Sequence, residues 1–222
     1  MRVFFRLFVA AAMACATAVF PAHAQTAGAA PGSAARTLLV VGDSLSAEYG
    51  LARGSGWVPL LERRLSEQYP NYRVVNASIS GDTTSGGMAR LPALLERHQP
   101  AIVVLELGAN DALRGLSLDM TEQNLRTMAQ RSRQAGAEVL IVGMQIPPNY
   151  GRDYAQRFAG LFPAVAQAEQ ARLVPFFMDG MAADRAMFQA DGIHPNEQAQ
   201  PKLLENVWAE LRPMLQADQP AD

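Results

Sequence analysis

Cysteine is almost absent from this chain, since Cys15 is the only one among 222 residues. A single cysteine excludes an internal disulfide framework. Cys15 also lies within the segment that is described below as a removable leader. We therefore expect neither disulfide bonds nor thiol chemistry in the working protein.

The chain also lacks an excess of positive charge: 19 Lys and Arg residues face 21 Asp and Glu residues, for a formal net charge of −2. Proteins that bind nucleic acid need clustered positive charge, so we expect no nucleic-acid partner. No cluster of His, Cys or Asp has the spacing of metal ligands, so we expect neither a metal nor a cofactor. Beyond the leader, no segment approaches the roughly 18 apolar residues of a membrane span, and we expect no stable membrane insertion.

The first 24 residues have the pattern of a secretory leader. Arg2 and Arg6 precede an apolar stretch from Leu7 to Phe20, and Ala22-His23-Ala24 is typical of a cleavage site. We expect cleavage near Ala24 and therefore a periplasmic or secreted protein.

The rest of the chain has the length of one domain with one sizeable core. Residues 25–35 are rich in Ala and Gly and are interpreted as a flexible lead-in. Residues 36–216 are predicted to form the domain, and residues 217–222 a tail. No large apolar helix face is left over to demand a partner, so we expect a monomer.

Apolar runs alternate with amphipathic segments along the domain. Parallel strands need crossover connections, so this alternation predicts an α/β fold with a parallel sheet in a three-layer α/β/α sandwich. The predicted strands cover residues 37–41, 73–76, 101–107, 138–144 and 173–175, and the predicted helices cover residues 57–68, 88–98, 121–135, 154–169 and 201–215.

A candidate nucleophile follows the first predicted strand, in Gly42-Asp43-Ser44-Leu45-Ser46. Gly42 permits a sharp turn and a close approach of substrate to the backbone. A serine in this place is equally compatible with an ordinary turn, so Ser44 needs a partner to be a nucleophile. The elbow sequence of α/β hydrolases is absent, because position 46 is Ser rather than Gly.

The partner is found near the C-terminus, in Asp191-Gly192-Ile193-His194-Pro195. Gly192 lets the chain turn, and Pro195 favours an extended backbone at His194. Asp191 could then hold one ring nitrogen of His194 while the other faces Ser44, as activation of a serine hydroxyl requires.

Acyl transfer also needs donors for the oxyanion of the tetrahedral intermediate. Asn110 follows the third predicted strand, and Gly81 offers a backbone amide after the second. Each residue taken alone is equally typical of a turn. The carboxyl ends of parallel strands lie at one edge of a sheet, so Ser44, Gly81 and Asn110 are predicted to meet there.

These blocks, in this order, resemble those of the SGNH hydrolase (GDSL lipase) superfamily, which centre on a Ser, a Gly, an Asn and a His. The resemblance implies a flavodoxin-like sandwich and a catalytic triad of Ser44, Asp191 and His194. It places the oxyanion hole at the backbone amides of Ser44 and Gly81 and the side chain of Asn110.

The similarity extends to a periplasmic branch of that superfamily with acyl-CoA thioesterase, protease and lysophospholipase activities. The segments that carry it are Val75–Thr83, Arg90–Leu95, Leu105–Gly108, Pro148–Gly151 and Asp191–Asn196. It implies a hydrolase of fatty acyl esters and thioesters, with small-molecule substrates that include lysophospholipids.

The substrate itself is left open by the sequence. The loop after the fourth predicted strand is the candidate for binding an acyl chain, through Ile146, Pro148, Asn149 and Tyr150. A carbohydrate O-deacetylase of the same superfamily is an alternative, and so is a lipid-binding protein without catalysis.

Overall fold

A computed structural model describes residues 35–217, whose centre is a sheet of five parallel strands in the order β2-β1-β3-β4-β5. Each strand carries apolar residues on both of its faces, as a sheet covered on both sides requires. The strands are β1 (Arg36–Gly42), β2 (Tyr72–Asn76), β3 (Ile102–Glu106), β4 (Glu138–Val142) and β5 (Arg172–Val174).

The described residues form six α-helices, most of which lie on the two faces of this sheet. Helix α1 packs against α6, while α4 packs against both α2 and α5. The helices are α1 (Trp57–Gln68), α2 (Thr84–His98), α3 (Ala109–Leu113), α4 (Leu118–Gln134), α5 (Arg152–Ala168) and α6 (Gln200–Ala217). Short 3₁₀ turns occur at Pro148–Tyr150, Arg185–Met187 and Glu197–Ala199.

The order of the strands explains the two helical layers. The chain moves from β1 outward to β2 and then returns past β1 to β3. Because parallel crossovers are right-handed, this reversal places α1 and α2 on opposite faces of the sheet. The predicted three-layer α/β/α architecture is confirmed by its likeness to solved structures of the same fold.

The reversal also positions the site. Loops that leave β1 and β3 diverge toward opposite faces, and such a divergence opens a crevice at the carboxyl edge of the sheet. The segments that follow β1 and β3 begin at Asp43 and Leu107, so the candidate nucleophile and Asn110 lie on the two sides of this crevice.

The strands and most helices lie where the sequence predicts them, and α1 has the predicted bounds. Two elements differ. Helix α2 begins at Thr84 rather than at residue 88, and the short helix α3 follows β3 where the sequence had predicted no helix. Gly86 and Gly87 have low helix propensity, which masks the first turn of α2 in the sequence.

The predicted leader at residues 1–24 lies outside the described residues. So do the predicted lead-in at residues 25–35, except for Ala35, and the predicted tail at residues 217–222, except for Ala217, which ends α6. Within residues 35–217, no helix combines the length and the apolar character needed to cross a membrane.

Substitutions in helix α4 can test how the helical layer packs. Leu125 is fully buried, whereas Met120 in the same helix is 57% exposed. We expect Leu125→Ala to lower the free energy of unfolding by about 2–5 kcal/mol, because the lost methyl groups leave a cavity. The matched variant Met120→Ala should change it by less than about 0.5 kcal/mol. Urea unfolding followed by circular dichroism measures both, and similar losses in the two variants would contradict this packing.

Candidate active site

A hydrogen-bonded row of three side chains lies at the carboxyl edge of the sheet. Nε2 of His194 lies 3.0 Å from Oγ of Ser44, and Nδ1 of His194 lies 2.7 Å from Oδ2 of Asp191. Ser44 follows β1, while Asp191 and His194 precede α6, so the fold joins positions 150 residues apart. The three residues predicted from the two sequence blocks therefore lie in direct contact.

The turn at Gly192 holds the carboxylate of Asp191 in place. Gly192 has φ of +75°, a backbone conformation that favours glycine. Oδ1 of Asp191 then accepts the N–H groups of Ile193 at 2.9 Å and of His194 at 3.0 Å. Both oxygens of Asp191 are thus engaged, and the imidazole is held at a fixed angle.

The charge on Asp191 decides the tautomer of His194. Desolvation acts to raise the pKa of Asp191, but the hydrogen bonds from Ile193 and His194 outweigh it and lower that pKa to about 2. An ionised carboxylate only accepts hydrogen bonds, so we assign the proton to Nδ1 of His194. Nε2 then presents its lone pair to the hydroxyl of Ser44.

Tyr49 lies over the imidazole, with its ring centroid 4.5 Å from that of His194. Its backbone carbonyl accepts a hydrogen bond from Nε2 of Gln189 at 2.8 Å, which joins the two ends of the site. No sequence pattern had indicated Tyr49, because it stands in an irregular segment and meets His194 only through the fold.

The segment that carries Gly81 is fastened beside the end of β1. The N–H of Ile79 donates to the carbonyl of Gly42 at 3.0 Å. Gly81 itself has φ of +77°, and its carbonyl accepts a hydrogen bond from Nη2 of Arg114 at 2.6 Å. Arg114 follows α3, so this bond connects the Gly81 segment to the one that carries Asn110.

Asn110 is oriented by the residue before the candidate nucleophile. Its Nδ2 donates to Oδ2 of Asp43 at 3.0 Å, while Oδ1 of Asp43 accepts the N–H of Leu45 at 3.0 Å. Burial raises the pKa of Asp43 to about 6, although the bonds from Leu45 and Asn110 and the charge of His194 act against this. The sequence block had indicated Ser44 and assigned no role to Asp43.

A buried cluster at Asp111 joins the start of α2 to α3. Oδ2 of Asp111 accepts the N–H of Thr84 at 2.9 Å, and Oδ1 accepts the hydroxyls of Thr84 at 2.5 Å and of Thr121 at 3.3 Å. Asp111 therefore satisfies the first N–H of α2 from a position 27 residues away. This distant partner explains why the start of α2 could not be recognised from the local sequence.

A cavity of about 620 Å³ opens beside Ser44 and His194. Of the residues predicted to bind substrate, Ile146 and Tyr150 line it. Asn149 is exposed, and it shares the 3₁₀ turn Pro148–Tyr150 with Pro148. Met144, at the start of the loop that the sequence had indicated, also lines the cavity. Further apolar wall residues, which the sequence had not indicated, are Leu45, Leu113, Phe176, Met178 and Phe188.

Among residues 35–217, no group of three or more His, Cys, Asp or Glu side chains is placed to hold a metal ion. The arrangement described above places a serine hydroxyl against an imidazole at the edge of an apolar cavity, which suits acyl transfer.

Comparison with known proteins agrees with this chemistry. The model of the GDSL-like lipase/acylhydrolase family matches residues 40–200, a range that contains all the polar residues described above. The chain belongs to this family. The resemblance inferred from the sequence blocks is thereby confirmed. Individual relatives within the GDSL-like family then indicate which reaction the chain catalyses.

Esterase TesA of Pseudomonas aeruginosa is 57% identical over 183 residues, which span 82% of this chain and 91% of that protein. Thioesterase 1/protease 1/lysophospholipase L1 of Escherichia coli K12 is 44% identical over 186 residues, or 84% of this chain and 88% of the relative. A crystal structure of TesA superposes with a TM-score of 0.79 at 56% identity, and covers 81% of this chain and 99% of that one.

These relationships establish the GDSL-like protein as a serine hydrolase that acts on small-molecule esters and thioesters. The prediction of this enzyme class from the sequence is confirmed.

The cluster at Asp111 gives a test of how the site is held. In Asp111→Asn, an NH₂ group replaces one of the two oxygens that accept hydrogen bonds from Thr84, so two donors face each other. We expect a loss of about 1–3 kcal/mol in the free energy of unfolding. We also expect a lower kcat, because the segments of Gly81 and Asn110 lose a shared anchor. Urea unfolding and ester hydrolysis measure these two effects.

Asp119 provides the control, since its side chain is 79% exposed and pairs only at the surface with Arg157. Asp119→Asn should change neither quantity appreciably. Equal behaviour of the two variants would show that Asp111 does not hold the site together.

Proposed function

We propose that Ser44 is the nucleophile, His194 the general base and Asp191 the carboxylate that orients it. The observation that carries this proposal is the 3.0 Å contact between Nε2 of His194 and Oγ of Ser44 at the edge of an apolar cavity. The 2.7 Å contact between Nδ1 and Asp191 supports the assigned roles, because it leaves Nε2 free to take a proton.

In the first half of the reaction, Oγ of Ser44 forms a bond to the acyl carbonyl carbon while Nε2 of His194 takes the hydroxyl proton. The carbonyl oxygen becomes an oxyanion, which accepts hydrogen bonds from the amides of Ser44 and Gly81 and from Nδ2 of Asn110. The bond to the leaving group then breaks, and His194 passes its proton to the departing alcohol or thiol.

The second half releases the acid. Water attacks the acyl-enzyme as Nε2 of His194 takes one of its protons, and the bond to Oγ of Ser44 breaks when that proton returns to the serine. Asp191 remains ionised throughout, since its pKa of about 2 lies far below neutral pH. Its charge stabilises the imidazolium in both halves.

The cavity supports a fatty acyl chain as the group that is transferred. Its volume of about 620 Å³ and its largely apolar wall suit an alkyl chain. An acetyl group would leave most of this space to water, which argues against the O-deacetylase alternative. A lysophospholipid, with one acyl chain and a polar head, is a substrate that such a cavity would take.

We further propose that the enzyme is exported and acts as a monomer. Export is supported by the leader pattern of residues 1–24. The monomer is supported by the site itself, because one chain supplies the proposed triad, the oxyanion donors and the walls of the cavity.

Replacement of Ser44 tests the mechanism. Ser44→Ala should lower kcat by about 10⁴- to 10⁶-fold, the range typical of serine triads, since the nucleophile is lost. The thermal unfolding midpoint should change little, and a fluorophosphonate should label the parent enzyme stoichiometrically and the variant not at all. Turnover by Ser44→Ala at near the parent rate would overturn the mechanism and would favour a different nucleophile.

The proposed acyl site is tested at Ala182, which lines the cavity, and at its neighbour Ala183, which does not. Ala182→Trp should lower kcat/KM for a long-chain ester by about tenfold or more, because even one lost methylene contact costs about 1–3 kcal/mol. A butyryl ester should be hydrolysed nearly as well as before. Ala183→Trp should leave kcat/KM for both esters unchanged.

An equal loss for both chain lengths in Ala182→Trp would contradict the placement of the acyl chain. A parent enzyme that prefers an acetylated sugar over every fatty acyl ester would instead favour the deacetylase.

A further inference from the structure

A second buried carboxyl group lies beneath the turn that carries Ser44. Glu106 ends the otherwise apolar strand β3 and is only 2% exposed. Its Oε2 accepts the hydroxyl of Ser46 at 2.7 Å and the N–H of Asp43 at 3.3 Å. The proposed mechanism gives Glu106 no role, yet a buried carboxyl group costs free energy that its hydrogen bonds offset only in part.

The two strands hold Glu106 at a fixed position under the turn. Gly42 of β1 pairs with Glu106 of β3 in the parallel register. A Cβ on Gly42 would lie 2.8 Å from Oε2 of Glu106 and 2.8 Å from Cβ of Ser46. Gly42 is therefore required here for a close approach, and the group that approaches is the carboxyl of Glu106.

Ser46 completes the arrangement. Its hydroxyl donates to Glu106 and accepts the indole N–H of Trp57 at 3.2 Å, while its carbonyl accepts Nδ2 of Asn76 at 2.8 Å. The two ends of the block around Ser44 therefore both contact Glu106: Gly42 leaves space for its carboxyl group, and Ser46 donates a hydrogen bond to it.

The groups around Glu106 favour its neutral form. Burial raises the pKa of Glu106 well above its usual value and the charge of Asp43 raises it further, although the hydrogen bonds from the hydroxyl of Ser46 and the N–H of Asp43 act against this. Beyond Asp43, the charged and titratable groups are His194 and Asp82, which act on Asp43, and Arg90, whose Nη2 donates to the carbonyl of Gly42 at 3.2 Å. Two neighbouring buried carboxyl groups cannot both ionise readily, and the greater burial of Glu106 favours it as the group that keeps a proton.

Asp43 connects this proton to the oxyanion site. With Glu106 neutral, Asp43 can carry the charge, and its Oδ2 accepts Nδ2 of Asn110 at 3.0 Å. A continuous path of contacts therefore leads from Glu106 through Asp43 to Asn110.

We propose that Glu106 is a positioning residue, buried as a neutral acid, which holds the turn of residues 42–46 and orients Asn110 through Asp43. Its effect on turnover rests on the proposed function of Ser44 and Asn110. Its protonation state does not, because that concerns the folded protein alone.

Two substitutions separate the parts of this proposal. Glu106→Gln preserves an accepting oxygen for Ser46 and the N–H of Asp43, and its amide can donate to Asp43. Glu106→Leu has a similar size and offers no polar group. We expect kcat of Glu106→Gln within about threefold of the parent enzyme, whereas Glu106→Leu should lose at least about tenfold, up to the roughly 10³-fold of a missing oxyanion donor.

The loss in Glu106→Leu should appear in kcat and leave KM for a fatty acyl ester little changed, because the cavity wall is untouched. A fully active Glu106→Leu would overturn the positioning role. A Glu106→Gln as impaired as Glu106→Leu would overturn the neutral acid, since it would show that a charge is needed.

The protonation state has its own test, which is independent of activity. Above pH 4.5, the ordinary pKa of Glu, the unfolded chain releases the proton while the folded protein keeps it. The unfolded state then binds fewer protons, so the stability of the parent falls relative to Glu106→Gln as pH rises. We expect the difference between their urea midpoints to shift steadily between pH 5 and pH 8, in favour of the variant.

Glu138→Gln controls for the removal of one carboxyl group, since Glu138 is exposed at the opposite end of the sheet. A constant difference in midpoint between the parent and Glu106→Gln across this pH range would overturn the neutral acid. Failure of the Ser44 mechanism would remove the effect on kcat and leave this result in place.

Discussion

The reversal of strand order between β1 and β3 is the constraint on which the site depends. Because β1 and β3 are neighbours whose following segments diverge, the segments of Ser44 and Asn110 begin a few ångströms apart and then separate. The crevice between them is not shaped by side chains alone; it follows from the topology. Asp43 spans its base, with one oxygen on the Ser44 turn and the other on Asn110.

Three carboxyl groups near this crevice show how burial and hydrogen bonding give the same chemical group different pKa values. Asp191 is partly exposed and receives hydrogen bonds from backbone and imidazole, so its charge is stabilised. Asp43 and Glu106 are buried together, and burial raises the pKa of both. Exposure to water and nearby N–H donors therefore suit Asp191 to stabilising an imidazolium. Burial suits Asp43 and Glu106 to holding neighbouring groups in place.

Much of the fold could be predicted from the sequence because each buried strand is an apolar run bounded by amphipathic helices. Ser44 and His194 could also be predicted, because each stands in a short sequence block. The neighbours in these blocks, such as Gly192, are residue types that the local backbone conformation favours. The start of α2 was hidden, since Thr84 is capped by Asp111 from another loop. The contact of Tyr49 with His194 arises only once distant segments meet, and no local pattern encodes it.

Part of the cavity wall comes from a segment that carries none of the proposed triad. Ile146 and Tyr150 lie in the loop after β4, whereas the segment after β5 carries both the wall at Phe176 and His194. The loop after β4 can therefore change in size without disturbing the contacts among Ser44, His194 and Asp191. Short polar blocks therefore indicate the chemistry well, whereas the wall that we propose for the acyl chain is built from apolar residues of several segments, from Leu45 to Phe188.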